Sequence, residues 1–139
     1  MNIEQRLALM ADETEIRNAL ACLAQNADQG KPEYIDTYTD DAVWDGGDDF
    51  GVYRGARQIM DAQKEKWSKG IAGPGTNLLH VVTTSTVEVK GDQAQARSYL
   101  LVYVDCNATP RVTFAGIYLD RFRRTFSGWK VEYRSLRRV

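Results

Sequence analysis

Apolar residues recur at intervals of three and four in the first part of the chain, as they do on one face of a helix. The positions on this face are Ile16, Leu20, Leu23 and Ala27. They predict a helix over 2–27, with Asp12 capping its main part and Gly30 and Pro32 ending it. Asp28 continues the same face beyond the last apolar position. We therefore expect its carboxylate to point toward the core.

The middle of the chain predicts shorter elements separated by glycine-rich segments. In order, these are a helix over 32–39, a strand over 42–45, a turn over 46–51, a strand over 52–53, a helix over 55–68 and a loop over 69–76. In the helix over 55–68, Ile59, Met60, Gln63 and Trp67 recur at helical spacing.

From residue 77 onward the pattern changes to the alternation of strands. Four strands are predicted, over 78–89, 93–105, 112–126 and 129–138, with tight turns at Gly91 and Gly128. On the second of them the small apolar side chains from Ala94 to Val104 share one face. Helices followed by a long antiparallel meander predict an α+β fold in which a strongly curved sheet wraps over three helices.

Composition narrows the choice of function. The 139 residues contain 18 Lys and Arg against 19 Asp and Glu, a net charge of −1, which suits neither nucleic acid nor an anionic membrane as the main partner. Cys22, expected to be a buried thiol, and Cys106 define no disulfide framework, and with one histidine no metal site is expected. We expect one domain over 1–139, in the cytoplasm, with no signal or membrane segment.

His80, the only histidine, opens the first long strand. A neutral imidazole must present one bare nitrogen to accept a proton, and a carboxylate on its other nitrogen holds that tautomer. If Asp28 and His80 meet in a pocket, they form a general base. A histidine that serves only to satisfy hydrogen bonds in the core is the alternative.

Several short segments carry a resemblance that covers essentially the whole chain. They are Asp40-Asp41-Ala42-Val43-Trp44, Gly51-Val52-Tyr53-Arg54-Gly55, Leu79-His80, Ala115-Gly116-Ile117-Tyr118-Leu119-Asp120-Arg121-Phe122 and Gly128-Trp129-Lys130-Val131. In this order and spacing the chain resembles the nuclear transport factor 2-like superfamily, and within it the SnoaL-like branch. The resemblance implies a cone-shaped α+β fold with an antiparallel or mixed sheet.

Within this superfamily, scytalone dehydratase and hexachlorocyclohexane dehydrochlorinase use an aspartate after the first helix to orient a histidine at a strand start. Asp28 and His80 fall on those positions, and Arg134 falls on an arginine of the dehydrochlorinase. Other positions depart from these enzymes: Leu23 replaces a lysine and Ala27 replaces a tyrosine. The resemblance therefore implies a retained base with different substrate recognition.

The remaining pocket must stabilise a developing oxyanion and exclude water. The residues expected to line it and bind substrate are Tyr38, Trp44, Tyr53, Tyr99, Tyr118 and Arg134. Each aromatic residue has core packing as its alternative role, and Arg134 has an ion pair with Glu132 or Asp120. The segment 46–51 is either a lid or a solvated turn.

These features predict a small-molecule lyase or isomerase that needs no cofactor. His80 would remove a proton from an apolar, carbonyl-bearing substrate, with dehydration or a double-bond shift. A SnoaL-type polyketide cyclase and a non-catalytic ligand-binding or assembly module are the alternatives. The resemblance also implies a homodimer or homotrimer through the outer face of the sheet. Ala115, Ile117, Leu119 and Leu136 are expected to supply that contact.

Overall fold

The computed structural model describes residues 1–139 and contains three α-helices, one 3₁₀ helix and one six-stranded sheet. In chain order the elements are α1 (Ile3–Gln29), a 3₁₀ helix (Pro32–Thr37), β1 (Tyr38–Asp45), α2 (Gly47–Phe50), β2 (Val52–Arg54), α3 (Ala56–Ser68), β3 (Leu79–Lys90), β4 (Gln93–Val104), β5 (Arg111–Thr125) and β6 (Gly128–Arg138). The predicted order of elements is confirmed. One addition is α2, a single helical turn within the segment predicted as a turn.

The start of α1 differs from the prediction. Asn2 caps the helix: its side chain accepts a hydrogen bond from the backbone N–H of Gln5, whose side chain accepts one from the Asn2 N–H. Asp12 lies inside the helix and accepts hydrogen bonds from Arg124 and from the indole of Trp129. The cap predicted at Asp12 is therefore wrong. The core-facing pattern starts later than the helix itself because the first turns extend past the core.

The sheet has the strand order β2-β1-β6-β5-β4-β3. Neighbouring strands are antiparallel except for β1 and β6, which are parallel, so the sheet is mixed. The short strands β1 and β2 thus extend the meander at its β6 side. This order leaves β3, the strand that begins with Leu79 and His80, at the opposite edge of the sheet.

A bulge bends β3. Its register with β4 shifts between Thr83 and Thr86, and Thr84 within the bulge has a φ of 51°. A β-branched residue rarely adopts a positive φ, so the surrounding structure must hold this conformation. Arg17 of α1 donates a hydrogen bond of 2.8 Å to the Ser85 carbonyl. This hydrogen bond connects the bulge of β3 to α1.

The core lies between the inner face of the sheet and the helices. Alternation along β4 and β5 directs Ala94, Ala96, Ser98, Leu100, Tyr118, Asp120 and Phe122 inward. Leu136 pairs with Tyr118 and is buried on this same face. It therefore cannot belong to the outer apolar patch predicted for it. Ala115 and Leu119 are exposed and Ile117 is half-buried, and the dimer or trimer stays a prediction.

Two further features concern the surface. Cys22 is exposed, which makes the prediction of a buried thiol wrong. It lies next to Leu23 on α1 and is turned away from the face of Ile16, Leu20 and Leu23, because successive helical residues differ by about 100°. None of the helices is long and apolar enough to span a bilayer.

Candidate active site

Asp28 and His80 are in direct contact. The Nδ1 atom of the His80 ring lies 2.7 Å from Oδ1 of Asp28. The backbone N–H of His80 also donates to the carboxylate, at 3.1 Å from Oδ2. Because an ionised carboxylate can only accept hydrogen bonds, the ring proton belongs on Nδ1. The other ring nitrogen, Nε2, has no hydrogen-bond partner in the protein and is free to accept a proton.

The secondary structure explains this contact. At an edge strand, alternate backbone N–H groups point away from the sheet and need another partner. On β3 the His80 N–H points away from β4, and the Asp28 carboxylate near the end of α1 accepts it. A carboxylate near the negative end of a helix dipole is unfavourable without donors. His80 supplies two donors and compensates for that position.

A second contact positions the end of α1. The indole N–H of Trp67 in α3 donates to the Ala27 carbonyl at 2.8 Å. Ala27 directly precedes Asp28, so this bond ties the carboxylate to α3 as well as to β3. Gly30 ends the helix with a left-handed φ of 68°, the conformation in which glycine is favoured.

His80 lines a small, partly open cavity of about 50 Å³. Its apolar wall consists of Leu23, Ala24, Ala27, Trp44, Ala72 and Val82, and its polar groups belong to Tyr34, Gln63, Lys66, His80, Tyr118 and Arg134. The side chain of His80 is 23% exposed and that of Asp28 only 10%. The imidazole therefore faces the cavity while its orienting carboxylate lies behind it. A wider groove on the outer face of the sheet, of about 450 Å³, does not include either residue.

A buried cation closes another side of the cavity. Arg134 forms two hydrogen bonds to Asp120, at 2.7 and 3.1 Å, across the pairing of β5 and β6. The two side chains are 3% and 0% exposed. The Arg134 guanidinium lies 3.7 Å from the centroid of the Tyr118 ring. Of the two roles predicted for Arg134, an ion pair with Asp120 and a place in the pocket wall, the structure shows both.

Tyr118 lines the cavity, and its hydroxyl group has no hydrogen-bond partner in the protein. Burial raises the pKa of this phenol to about 12, an effect that the nearby Arg134 charge only partly offsets. The hydroxyl group therefore stays protonated near neutral pH and is available as a hydrogen-bond donor. Its position on β5 follows from the alternation that directs Asp120 and Phe122 to the same face.

The other predicted binding residues lie at different distances from the cavity of His80. Trp44 lines the cavity, and Tyr53 stacks on it with ring centroids 5.9 Å apart, in an adjoining space away from His80. Tyr38 lies behind the wall, where its hydroxyl group is 2.8 Å from that of Tyr34. Burial raises the pKa values of both these phenols.

Tyr99 does not reach the cavity. It is 40% exposed on the outer face of the sheet, where it pairs with Ile117 and Thr83. Its neighbours Ser98 and Leu100 are the inward residues of β4, so alternation alone places Tyr99 on the opposite face. The assignment of Tyr99 as a substrate-binding residue is therefore wrong.

The segment 46–51 packs against the sheet near the ends of β5 and β6. Phe50 makes an edge-to-face contact with Phe114, with ring centroids 5.4 Å apart, and Asp49 accepts a hydrogen bond from Arg138 at 3.2 Å. None of its residues lines the cavity of His80.

The model of the SnoaL-like domain family matches residues 8–135 of the chain, which includes every residue of the cavity. The chain belongs to the SnoaL-like domain family. The family and the fold that the sequence predicts are thereby confirmed. No curated protein matches the sequence.

Solved structures place this SnoaL-like domain among related folds. An NTF2-like protein with a cystatin-like fold from Novosphingobium aromaticivorans is 25% identical, with a TM-score of 0.89 over 99% of this chain and 88% of that one. A protein proposed to be a scytalone dehydratase, from the same organism, is 17% identical, with a TM-score of 0.75 over 99% and 89% of the two chains. ActVI-ORFA from Streptomyces coelicolor is 16% identical, with a TM-score of 0.73 over 91% and 96%. At such identities the last two show a shared fold.

Three polar residues of the SnoaL-like domain's cavity, Tyr34, Gln63 and Lys66, were not among the predicted site residues. Gln63 and Lys66 both lie on α3 and line the cavity beside Trp44. For Gln63 the sequence carried a signal, since this amide stands on the apolar face with Ile59 and Met60. Lys66 gave none, because it stands in a charged run that is typical of a solvated helix face. No group of three or more His, Cys, Asp or Glu side chains is placed to hold a metal ion.

Proposed function

We propose that this SnoaL-like domain is an enzyme that transfers protons on a small, carbonyl-bearing substrate, with His80 as the general base. The observation that carries the proposal is the Asp28–His80 contact of 2.7 Å, which leaves Nε2 unbonded at the wall of a cavity. A histidine that serves only to satisfy core hydrogen bonds would have both ring nitrogens paired or packed. A positioned base of this kind contributes roughly 10²–10⁴-fold to a rate.

The proposed reaction begins with removal of a proton next to the carbonyl group. His80 Nε2 accepts this proton, and the electron pair of the broken C–H bond moves into an enolate. Asp28 stabilises the imidazolium that forms. The enolate then re-forms its carbonyl group while a new C=C bond expels the β-hydroxyl group, which leaves as water with the proton from Nε2. In the isomerase variant, Nε2 returns the proton to another carbon.

Tyr118 is the proposed donor to the enolate oxygen. Its phenol is protonated near neutral pH, as tyrosine ordinarily is, and burial raises its pKa further, to about 12. Its hydroxyl group has no competing partner in the protein. The Arg134 guanidinium, 3.7 Å from the centroid of the same ring, favours negative charge that develops near the hydroxyl group. A preorganised donor in a site largely shielded from water is an effective way to stabilise such charge.

The size of the cavity constrains the substrate. About 50 Å³ holds a few water molecules, so only the reacting end of a substrate fits without rearrangement. The remainder would extend through the open side or displace the Trp44 side chain. The apolar wall of Leu23, Ala27 and Val82 suits a hydrocarbon or aromatic skeleton beside the carbonyl group.

Catalysed hydrogen–deuterium exchange tests the proposal without knowledge of the leaving group. Small cyclic ketones and enones are incubated in D₂O, and loss of the α-proton signals is followed by NMR. We expect exchange above the buffer rate for the wild type and a decrease of about 100-fold or more for His80→Gln. Thr86→Val, an exposed change on the same strand, is the matched control and should leave the rate unchanged.

Two results would contradict the proposal. Exchange that persists in His80→Gln would show that another group is the base. Saturable binding of these compounds without exchange in the wild type would favour the non-catalytic binding function instead.

A further inference from the structure

The ammonium group of Lys66 lies at the cavity without an anionic partner. It forms no ion pair or hydrogen bond with the protein, and its Nζ lies 5.2 Å from the centroid of the Trp44 ring, which also lines the cavity. The other cation of the cavity, Arg134, is paired with Asp120. Burial lowers the pKa of Lys66 from its ordinary value, with no carboxylate to counter the effect. This charge is therefore held at a cost in the free protein.

The amide of Gln63 is a second polar group without a partner. Gln63 is only 7% exposed as a residue, and its amide forms no hydrogen bond with the protein. The one fully buried side-chain polar atom without a partner is Thr39 Oγ1, so the Gln63 amide keeps some accessible surface, on the side of the cavity that it lines. A buried amide normally has a hydrogen-bond partner. Since Gln63 lines the same cavity as His80, a molecule in the cavity is the partner that it can reach.

The two groups act from one helix face. Residues three apart on a helix are neighbours, so Gln63 and Lys66 project side by side from α3. On the other side of the cavity, Asp28 is satisfied by His80 and supplies no free negative charge. The α3 wall thus offers an unpaired positive charge and an unpaired amide next to an aromatic ring, a set of groups suited to an anionic oxygen on an aromatic or other planar skeleton.

We infer that Gln63 and Lys66 bind an ionised oxygen of the substrate, a phenolate or a carboxylate, while His80 acts at the carbonyl end of the same molecule. The inference names a substrate class for the site, and it rests on the proposed function for the identity of the reacting end. It makes Lys66 a specificity-determining residue whose unfavourable free state is relieved when the anion binds.

Binding of 4-nitrophenol tests this inference without turnover, because the absorbance of the probe distinguishes the phenol from the phenolate. We expect the wild type to bind the phenolate and to prefer it to 4-nitrotoluene, a neutral analogue of similar shape. Lys66→Met should weaken phenolate binding about 10- to 100-fold, and Gln63→Leu about 2- to 10-fold. Neither change should weaken the binding of 4-nitrotoluene. Benzoate, titrated in parallel, tells whether a carboxylate is bound as well as a phenolate.

Further variants separate charge from packing. Lys66→Arg keeps the charge and should retain the preference for phenolate. Lys64→Met removes an exposed charge from the same helix and should change nothing. Circular dichroism checks that each variant is folded.

The outcomes distinguish this inference from the proposed function. His80→Gln should abolish exchange and keep phenolate binding, so failure of the catalytic proposal leaves this result intact. Equal binding by the wild type and Lys66→Met, preference for the neutral probe, or no saturable binding of phenolate or benzoate would overturn the inference. None of those results would affect the exchange experiment.

Discussion

Asp28 holds His80 at two points, since its carboxylate accepts both the ring Nδ1–H, at 2.7 Å, and the backbone N–H, at 3.1 Å. The backbone bond fixes where the strand begins relative to α1, and the ring bond fixes the tautomer. One side chain therefore couples the position of the proposed base to its protonation pattern.

Asp28→Asn should reverse the tautomer of His80. The backbone N–H requires an oxygen acceptor, so the Asn oxygen should take that bond and its NH₂ group should face Nδ1. Nδ1 would then accept, and the proton would move to Nε2. Long-range ¹H–¹⁵N NMR should show Nδ1 protonated in the neutral wild-type ring and Nε2 protonated in the variant. Proton exchange on substrate should decrease about 100-fold or more.

The matched control for this change is Asp36→Asn, which alters an exposed carboxylate in the 3₁₀ helix. Its His80 nitrogen shifts should match those of the wild type. An Asp28→Asn protein that keeps the proton on Nδ1 would show that the backbone bond does not orient this side chain.

Tyr118 should make stability fall at alkaline pH. Its folded pKa, about 12, is above the unfolded value near 10, so the folded chain keeps a proton that the unfolded chain loses. The contribution of this phenol to the free energy of unfolding is constant below about pH 10. Between about pH 10 and pH 12 it decreases by about 1.4 kcal/mol per pH unit. Tyr118→Phe should make the dependence of the unfolding free energy on pH shallower between pH 10 and 12, as measured by urea denaturation.

Tyr99→Phe removes an exposed phenol and is the control for that experiment. Its urea midpoint at neutral pH should equal that of the wild type. If Tyr118→Phe follows the wild-type dependence on pH, the phenol of Tyr118 is not held in its neutral form by burial.

Lys66→Met should stabilise the free protein while it weakens anion binding. Burial lowers the folded pKa of Lys66 below its unfolded value, so the unfolded chain binds the proton more strongly. This cost is present below the folded pKa and is relieved as pH rises toward the unfolded value. We expect a Tm increase of about 2–5 °C near pH 7, or roughly 1 kcal/mol, that shrinks at alkaline pH. A lower Tm for Lys66→Met would mean that the contact of the ammonium group with the Trp44 ring, 5.2 Å from its centroid, outweighs the cost of burying the charge.

Asp120→Asn should destabilise the fold strongly. It leaves the Arg134 guanidinium, 3% exposed, without its counter-charge. Breaking a buried pair in this way costs about 3–5 kcal/mol. The decrease should appear in the urea midpoint, whereas Glu88→Gln, in an exposed pair with Lys90, should leave the midpoint unchanged. A small loss in Asp120→Asn would indicate that the Tyr118 ring alone stabilises the arginine.

Much of the fold follows from local patterns. Two examples are the helical face of Leu20, Leu23 and Ala27 and the alternation of β4. Both patterns arise because apolar side chains are buried, and both are recognised in the sequence without knowledge of tertiary contacts. The same alternation already places Tyr99 on the outer face. The wrong prediction of Tyr99 as a substrate-binding residue therefore came from not applying the pattern to it. Cys22 is comparable, since its position beside Leu23 turns it away from the core face.

The sequence by itself determined the elements other than α2, their order, the family and the two residues of the proposed base. Asp28 stands out because it continues the apolar face of α1, and His80 stands out because Leu79, Val81 and Val82 around it are apolar. Only the tertiary structure decided that Lys66 faces a cavity, that Arg134 both pairs with Asp120 and lines that cavity, and that the Tyr118 hydroxyl group lacks a partner. Burial and pairing depend on residues distant in the chain, and the charged run around Lys66 looks the same whether its helix faces water or a cavity.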